Sequence, residues 1–141
     1  MLDFATCQRL YDAIPAFRAH APTSGDWIFF EGDDPDRPAR PCLIDTDGSA
    51  LLQHDDEEPG VLHRDLPEGQ TQAPFRWCPR LDQLIVLAMP YGFATLKRWP
   101  SVEKPVLWLA QAGLHVYEGS TPDEALATLL WEEAMRDAAQ L

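Results

Sequence analysis

A chain of 141 residues with 45% hydrophobic side chains and five tryptophans can fill one core of ordinary size but not two, and it is too apolar to stay disordered. Its formal charge of −12 is concentrated in residues 31–68, where twelve acids stand against Arg37, Arg40 and Arg64 to give −9. Such a surface repels phosphate backbones and attracts basic proteins, so direct DNA or RNA binding is not expected.

Phe4, Cys7, Leu10, Tyr11 and Ile14 recur at three- and four-residue spacing, which predicts a helix near 3–14 with Asp3 as its cap. Pro15 ends or bends it, and Phe17 continues the same face in a second short turn. Trp27-Ile28-Phe29-Phe30 reads as a strand. Residues 42–45 and 49–53 flank Thr46-Asp47-Gly48 and read as a hairpin, because glycine accepts the positive φ such turns require. From His54 to Phe75 apolar periodicity is lost among Asp55-Asp56-Glu57-Glu58, Pro59, Gly60, Pro67, Gly69 and Pro74, which predicts a long acidic loop over 54–75.

A helix over 79–90 follows from Pro79 and the spacing of Leu81, Leu84, Ile85, Ala88 and Met89, with Pro90 and Gly92 as its stop. Strands are predicted at 93–99, 106–111 and 114–118, the last two joined by a tight turn at Ala112-Gly113. Thr121-Pro122-Asp123-Glu124 is a capping box opening a final helix over 122–138. These elements predict an α+β single domain over 1–141, with one antiparallel sheet of about five or six short strands and the helices on one of its faces.

No nucleophile motif or phosphate loop is present, and no cofactor is implied. His54 and His63 with the acids between them are the best metal pair, but no helix aligns them, and a solvated acidic loop is the favoured reading, so no metal site is expected. Asp45 to Ser49 resembles a calcium loop, yet its glycine stands two places early and its closing position falls on Asp56 rather than a glutamate. Cys78 or Cys42 could be paired with His115 or His20 for nucleophilic catalysis, although no local sequence supports it; core packing is favoured, and Cys78, before a helix start, is the one cysteine worth testing. Of the tryptophans at 27, 77, 99, 108 and 131, Trp77 and Trp99 lie at element ends and are expected to be partly exposed. Three cysteines in no paired spacing, an acid where a signal peptide needs a base, and an apolar run of only Leu84 to Met89 point to a cytoplasmic protein with no membrane contact.

Leu114 to Tyr117 followed by Gly119 to Ala125 resembles the strand-to-helix ending of small uncharacterised phage and prophage proteins, and the corresponding motif of HicB-type antitoxins. The second resemblance implies a further strand and a DNA-binding segment after the helix, and neither implies catalytic residues. The expected function is a non-enzymatic protein-interaction module, monomeric or homodimeric, binding a basic protein through Asp55, Asp56, Glu57, Glu58, Trp77 and Trp99. The alternative is a small-ligand binder or enzyme whose site converges only in the fold. A basic stripe of Arg76, Arg80, Lys97, Arg98 and Lys104 would be needed for nucleic acid.

Overall fold

The computed structural model describes residues 1–30, 41–44, 50–53, 62–64, 75–100, 103 and 107–140. Helix α1 (Phe4–Ala13) begins where Asp3 Oδ1 accepts from the Thr6 N–H at 2.8 Å, and it buries Cys7 and Leu10. Pro15 has no N–H to continue the ladder, so the chain extends at Ile14 and restarts as α2 (Pro15–Ala19). Arg18 reaches back to donate to the Tyr11 and Asp12 carbonyls at 2.7 and 2.8 Å, satisfying oxygens that the helix end leaves open.

Five strands follow: β1 (Trp27–Phe30), β2 (Pro41–Ile44), β3 (Ala50–Gln53), β4 (Leu62–Arg64) and β5 (Phe75–Cys78). They form one antiparallel sheet in the order β4-β3-β2-β1-β5. The expected β2–β3 hairpin is present as a strand pair; its Asp47-Gly48 turn lies outside the described residues. Strands β4 and β5 fall within or against the stretch read as loop, so the strand content there was underestimated.

After α3 (Leu81–Ala88) and a 3₁₀ turn at Met89–Tyr91, the chain builds a second sheet. Its strands β6 (Phe93–Trp99), β7 (Leu107–Ala112) and β8 (His115–Gly119) form an antiparallel meander. Gly113 opens the β7–β8 turn at φ 59°, a conformation that lets two residues join strands with the proper twist. Among the described residues the single expected sheet is therefore two, of five and three strands. The cause is local: α3 carries the chain away from β5, and β6 to β8 pair with their sequence neighbours through short connections.

The last helix, α4 (Pro122–Ala139), is the centre of the packing. Its Thr121 cap accepts from the Glu124 N–H at 3.1 Å, while the Glu124 carboxylate accepts from the Ser120 N–H at 3.0 Å and from the Ser120 hydroxyl. Leu126, Leu129 and Leu130 are wholly buried, each worth about 1.5–3 kcal/mol when removed from water. They join one core cluster with Ala110, Ala112 and Tyr117 from β7 and β8, Leu84 and Ala88 from α3, and Leu2, Cys7 and Leu10 at the amino end. Arg9 of α1 lies 4.8 Å over the Trp131 ring of α4.

Helices covering one sheet face is also corrected, because β5 is covered on both sides. Arg76 and Cys78 point to α1: Arg76 Nε donates to Gln8 Oε1 at 2.7 Å, its guanidinium sits 4.0 Å over Tyr11, and Cys78 meets Cys7. Trp77, one residue between them, points the other way onto Phe17 and His20. The α+β class stands.

Candidate functional site

Two places in the described structure hold chemistry that packing alone does not require. The first is a buried polar node around Asp26, which is 1% exposed. Its Oδ2 is 2.7 Å from His20 Nε2 and accepts from the Thr23 N–H at 2.9 Å and the Thr23 hydroxyl at 3.3 Å. Its Oδ1 accepts from Gln83 Nε2 at 2.7 Å and has Arg80 Nη1 3.7 Å away. The His20 ring is stacked on Trp77, centroids 3.6 Å apart and planes 9° from parallel. Burial by itself would push the Asp26 carboxyl up; the bonds from Thr23, His20 and Gln83 outweigh it and hold the group below its ordinary value.

A histidine on a buried carboxylate is the geometry of a general base. Its surroundings serve another purpose. Both carboxylate oxygens are already used, and Gln83 Oε1 accepts from the Arg80 N–H at 2.9 Å as the N-terminal cap of α3. Arg80 Nη1 also donates to the Gly25 carbonyl at 2.5 Å. The bonds from Thr23 and His20 close the turn before β1 on itself, and Gln83, Arg80 and the His20–Trp77 stack tie that turn to the end of β5 and the start of α3, which is what a structural clamp does.

The cysteines offer no reaction centre either. All three are buried thiols, and Cys78 is 1% exposed, its Sγ donating to the Leu2 carbonyl at 3.6 Å. The hydrogen bond between the two thiols, and then burial, push the Cys7 thiol up, while the same hydrogen bond holds Cys78 below the usual thiol value. A substrate cannot reach a nucleophile held at that depth without opening the core.

The second place is the outer face of the three-stranded sheet. Along β7, Ala110 and Ala112 are buried toward α4, so Leu107, Leu109 and Gln111 stand on the opposite side. Register carries that face across the sheet: Trp99 is beside Leu107, Lys97 beside Leu109 and then Glu118, and Thr95 beside Gln111 and then Val116. Trp99 is 55% and Val116 53% exposed, Leu107 and Leu109 are half-buried, and neither leucine joins the core cluster. Among the described elements, α4 is the main partner of β7 and β8 outside their own sheet, and it packs on the opposite side, against Ala110.

Of the residues singled out from sequence, Trp99 therefore lies on an exposed apolar strip, and Trp77 does not. Trp77 is 5% exposed, clamped between Phe17 and His20, and is corrected from a surface residue to a core residue. Asp55, Asp56, Glu57, Glu58 and His54 lie outside the described residues, as does the side chain of His63. Among the described residues no three metal-ligating side chains are gathered, and no helix is long and apolar enough to cross a membrane. Asp26 and Leu109 were not foreseen as site residues. Asp26 looks like any turn acid, and Leu109 acquires its role only once α4 has chosen the other side of β7.

No protein-family model, curated protein or solved structure matches this chain.

Proposed function

We propose that this protein is a non-enzymatic interaction module that binds a basic protein partner through its acidic surface. The observation that carries the reading is where the positive charge goes. Of eleven basic residues, five arginines turn onto their own chain: Arg9 over Trp131, Arg18 onto the end of α1, Arg76 onto Gln8 and Tyr11, Arg80 onto Gly25 and Asp82, and Arg136 onto Glu133. The net charge of −12 is left to dominate the field that an approaching molecule meets.

The same self-pairing argues against nucleic acid. Arg76 is 8% exposed, which removes one member of the basic stripe that phosphate binding would need, and Arg80, with its side chain 42% exposed, is already paired with Asp82. An acidic chain that presents a polyanionic surface suits the neutralisation or regulation of a basic protein. In that reading Asp55, Asp56, Glu57 and Glu58 supply the contact.

The test is capture from native lysate with the full chain as bait, at about 50 and 300 mM salt, a range that spans the screening of exposed charges. The expected result is a basic protein retained at low salt and released at high salt, and lost from the D55N/D56N/E57Q/E58Q variant. Recovery of no basic protein, or of one indifferent to salt and to the four neutralisations, overturns the proposal.

A further inference from the structure

We propose that the outer face of the β6-β7-β8 sheet is the interface of a homodimer, occupied by the same face of a second copy. This goes beyond the acidic contact described above and uses none of its residues. A sheet face that is half apolar and leaves Trp99 and Val116 more than half exposed is unusual for a monomer. What identifies its occupant is the arrangement of charge.

The central row of the face reads Lys97, Leu109, Glu118 across the three strands, a cation on one edge strand, an apolar side chain in the middle and an anion on the other edge. Consider a two-fold axis lying between two stacked sheets and running along β7. It exchanges the left and right edges, so β6 of one copy lies over β8 of the other. Lys97 then meets Glu118 of the second copy, twice by symmetry, and Leu109 meets its own equivalent on the axis. An axis across the strands would instead bring Lys97 over Lys97 and Glu118 over Glu118, which like charges oppose. The face is complementary to itself in one orientation.

Glu118 already engages a group in its own chain. That does not exclude the pairing, since an ionised carboxylate has about four lone-pair positions and accepts more than one donor. Trp99, Leu107 and Val116 supply the surrounding apolar contact. A face of three short strands lies at the small end of specific interfaces, so the dimer is expected to dissociate in the micromolar range.

The experiment is sedimentation equilibrium of the full chain from about 1 to 300 µM, which brackets such an affinity. The mass is expected to rise with concentration from 15.9 kDa toward twice that value. Lys97→Glu should weaken dimerisation by roughly tenfold or more, and Lys97→Glu with Glu118→Lys should recover it to within about threefold of wild type, because the swap restores both cross pairs. Leu109→Asp should leave a folded monomer, as checked by circular dichroism. A wild-type monomer over the whole range overturns the proposal. So does a dimer that ignores Leu109→Asp, or one that the double reversal fails to restore. Captured basic protein with no dimer would sink this inference alone; a dimer that captures nothing would sink only the acidic contact.

Discussion

His20 and Asp26 meet at 2.7 Å, and the histidine lies flat on Trp77 while its Nε2 faces the carboxylate. Two segments far apart in sequence are joined at that point, because Gln83, 57 residues on, fills the other oxygen of Asp26. Asp26→Asn puts an amide N–H₂ where two or three donors already converge. The expected cost is about 2–3 kcal/mol in urea unfolding, in line with a buried charged acceptor being lost. A loss under half a kilocalorie would show that the node does not clamp these elements.

The same carboxylate makes stability depend on acid in a definite direction. Asp26 is held below its ordinary value of 3.8 in the folded chain, so at acid pH the unfolded chain binds the extra proton. Its contribution is therefore complete above the unfolded value and is lost as pH falls through the lower folded value. The stability gap between wild type and Asp26→Asn should narrow between about pH 5 and pH 2, measured by urea melts at each pH. A gap that stays constant would contradict the assignment.

Gly119 is needed for space. A Cβ there would sit 2.3 Å from the Ala125 nitrogen and 2.8 Å from its Cα, backbone that α4 cannot withdraw. Gly113 has open space around it and only its φ of 59° to protect. Gly119→Ala is expected to cost about 3 kcal/mol and Gly113→Ala about 1 kcal/mol in thermal or urea unfolding, overpacking outweighing a single left-handed residue. The reverse order would show that β8 and α4 are not held at this separation.

Tyr117 donates its hydroxyl to Glu133 at 2.5 Å inside the β8–α4 contact. Burial first, and then that bond, push its ionisation up to about 12. A stopped-flow alkaline jump, read at the phenolate band before the chain unfolds, should show one tyrosine of the three ionising last, and Tyr117→Phe should remove that step. Because the neutral form is the one folding favours, this contribution holds below the unfolded value and disappears as pH climbs through the folded one.

The helices and the individual strands of the second sheet were legible because their signals are local, while their separation into a sheet of their own was not. Asp3 and the 3,4 spacing mark α1, Thr121-Pro122 marks α4, and alternation with Gly113 marks β7 and β8. Strands β4 and β5 were hidden for a reason particular to them. They are three and four residues long, too short to alternate, and sit among prolines and glycines that dominate any window. Arg76 also reads as a surface residue, and it is contacts such as those with Tyr11 and Gln8, from a distant helix, that make its burial possible. The Asp26 node and the outward face of β7 depend on contacts between segments far apart in the chain, for which no spacing in the sequence exists.

The central claim is that charge governs what this molecule meets, and the association rate with the captured basic partner reads it most directly. Stopped-flow binding should show the on-rate falling by roughly tenfold or more from about 50 to 300 mM salt, with a much smaller change in the off-rate, as electrostatic steering requires. An on-rate that does not respond to salt would contradict it.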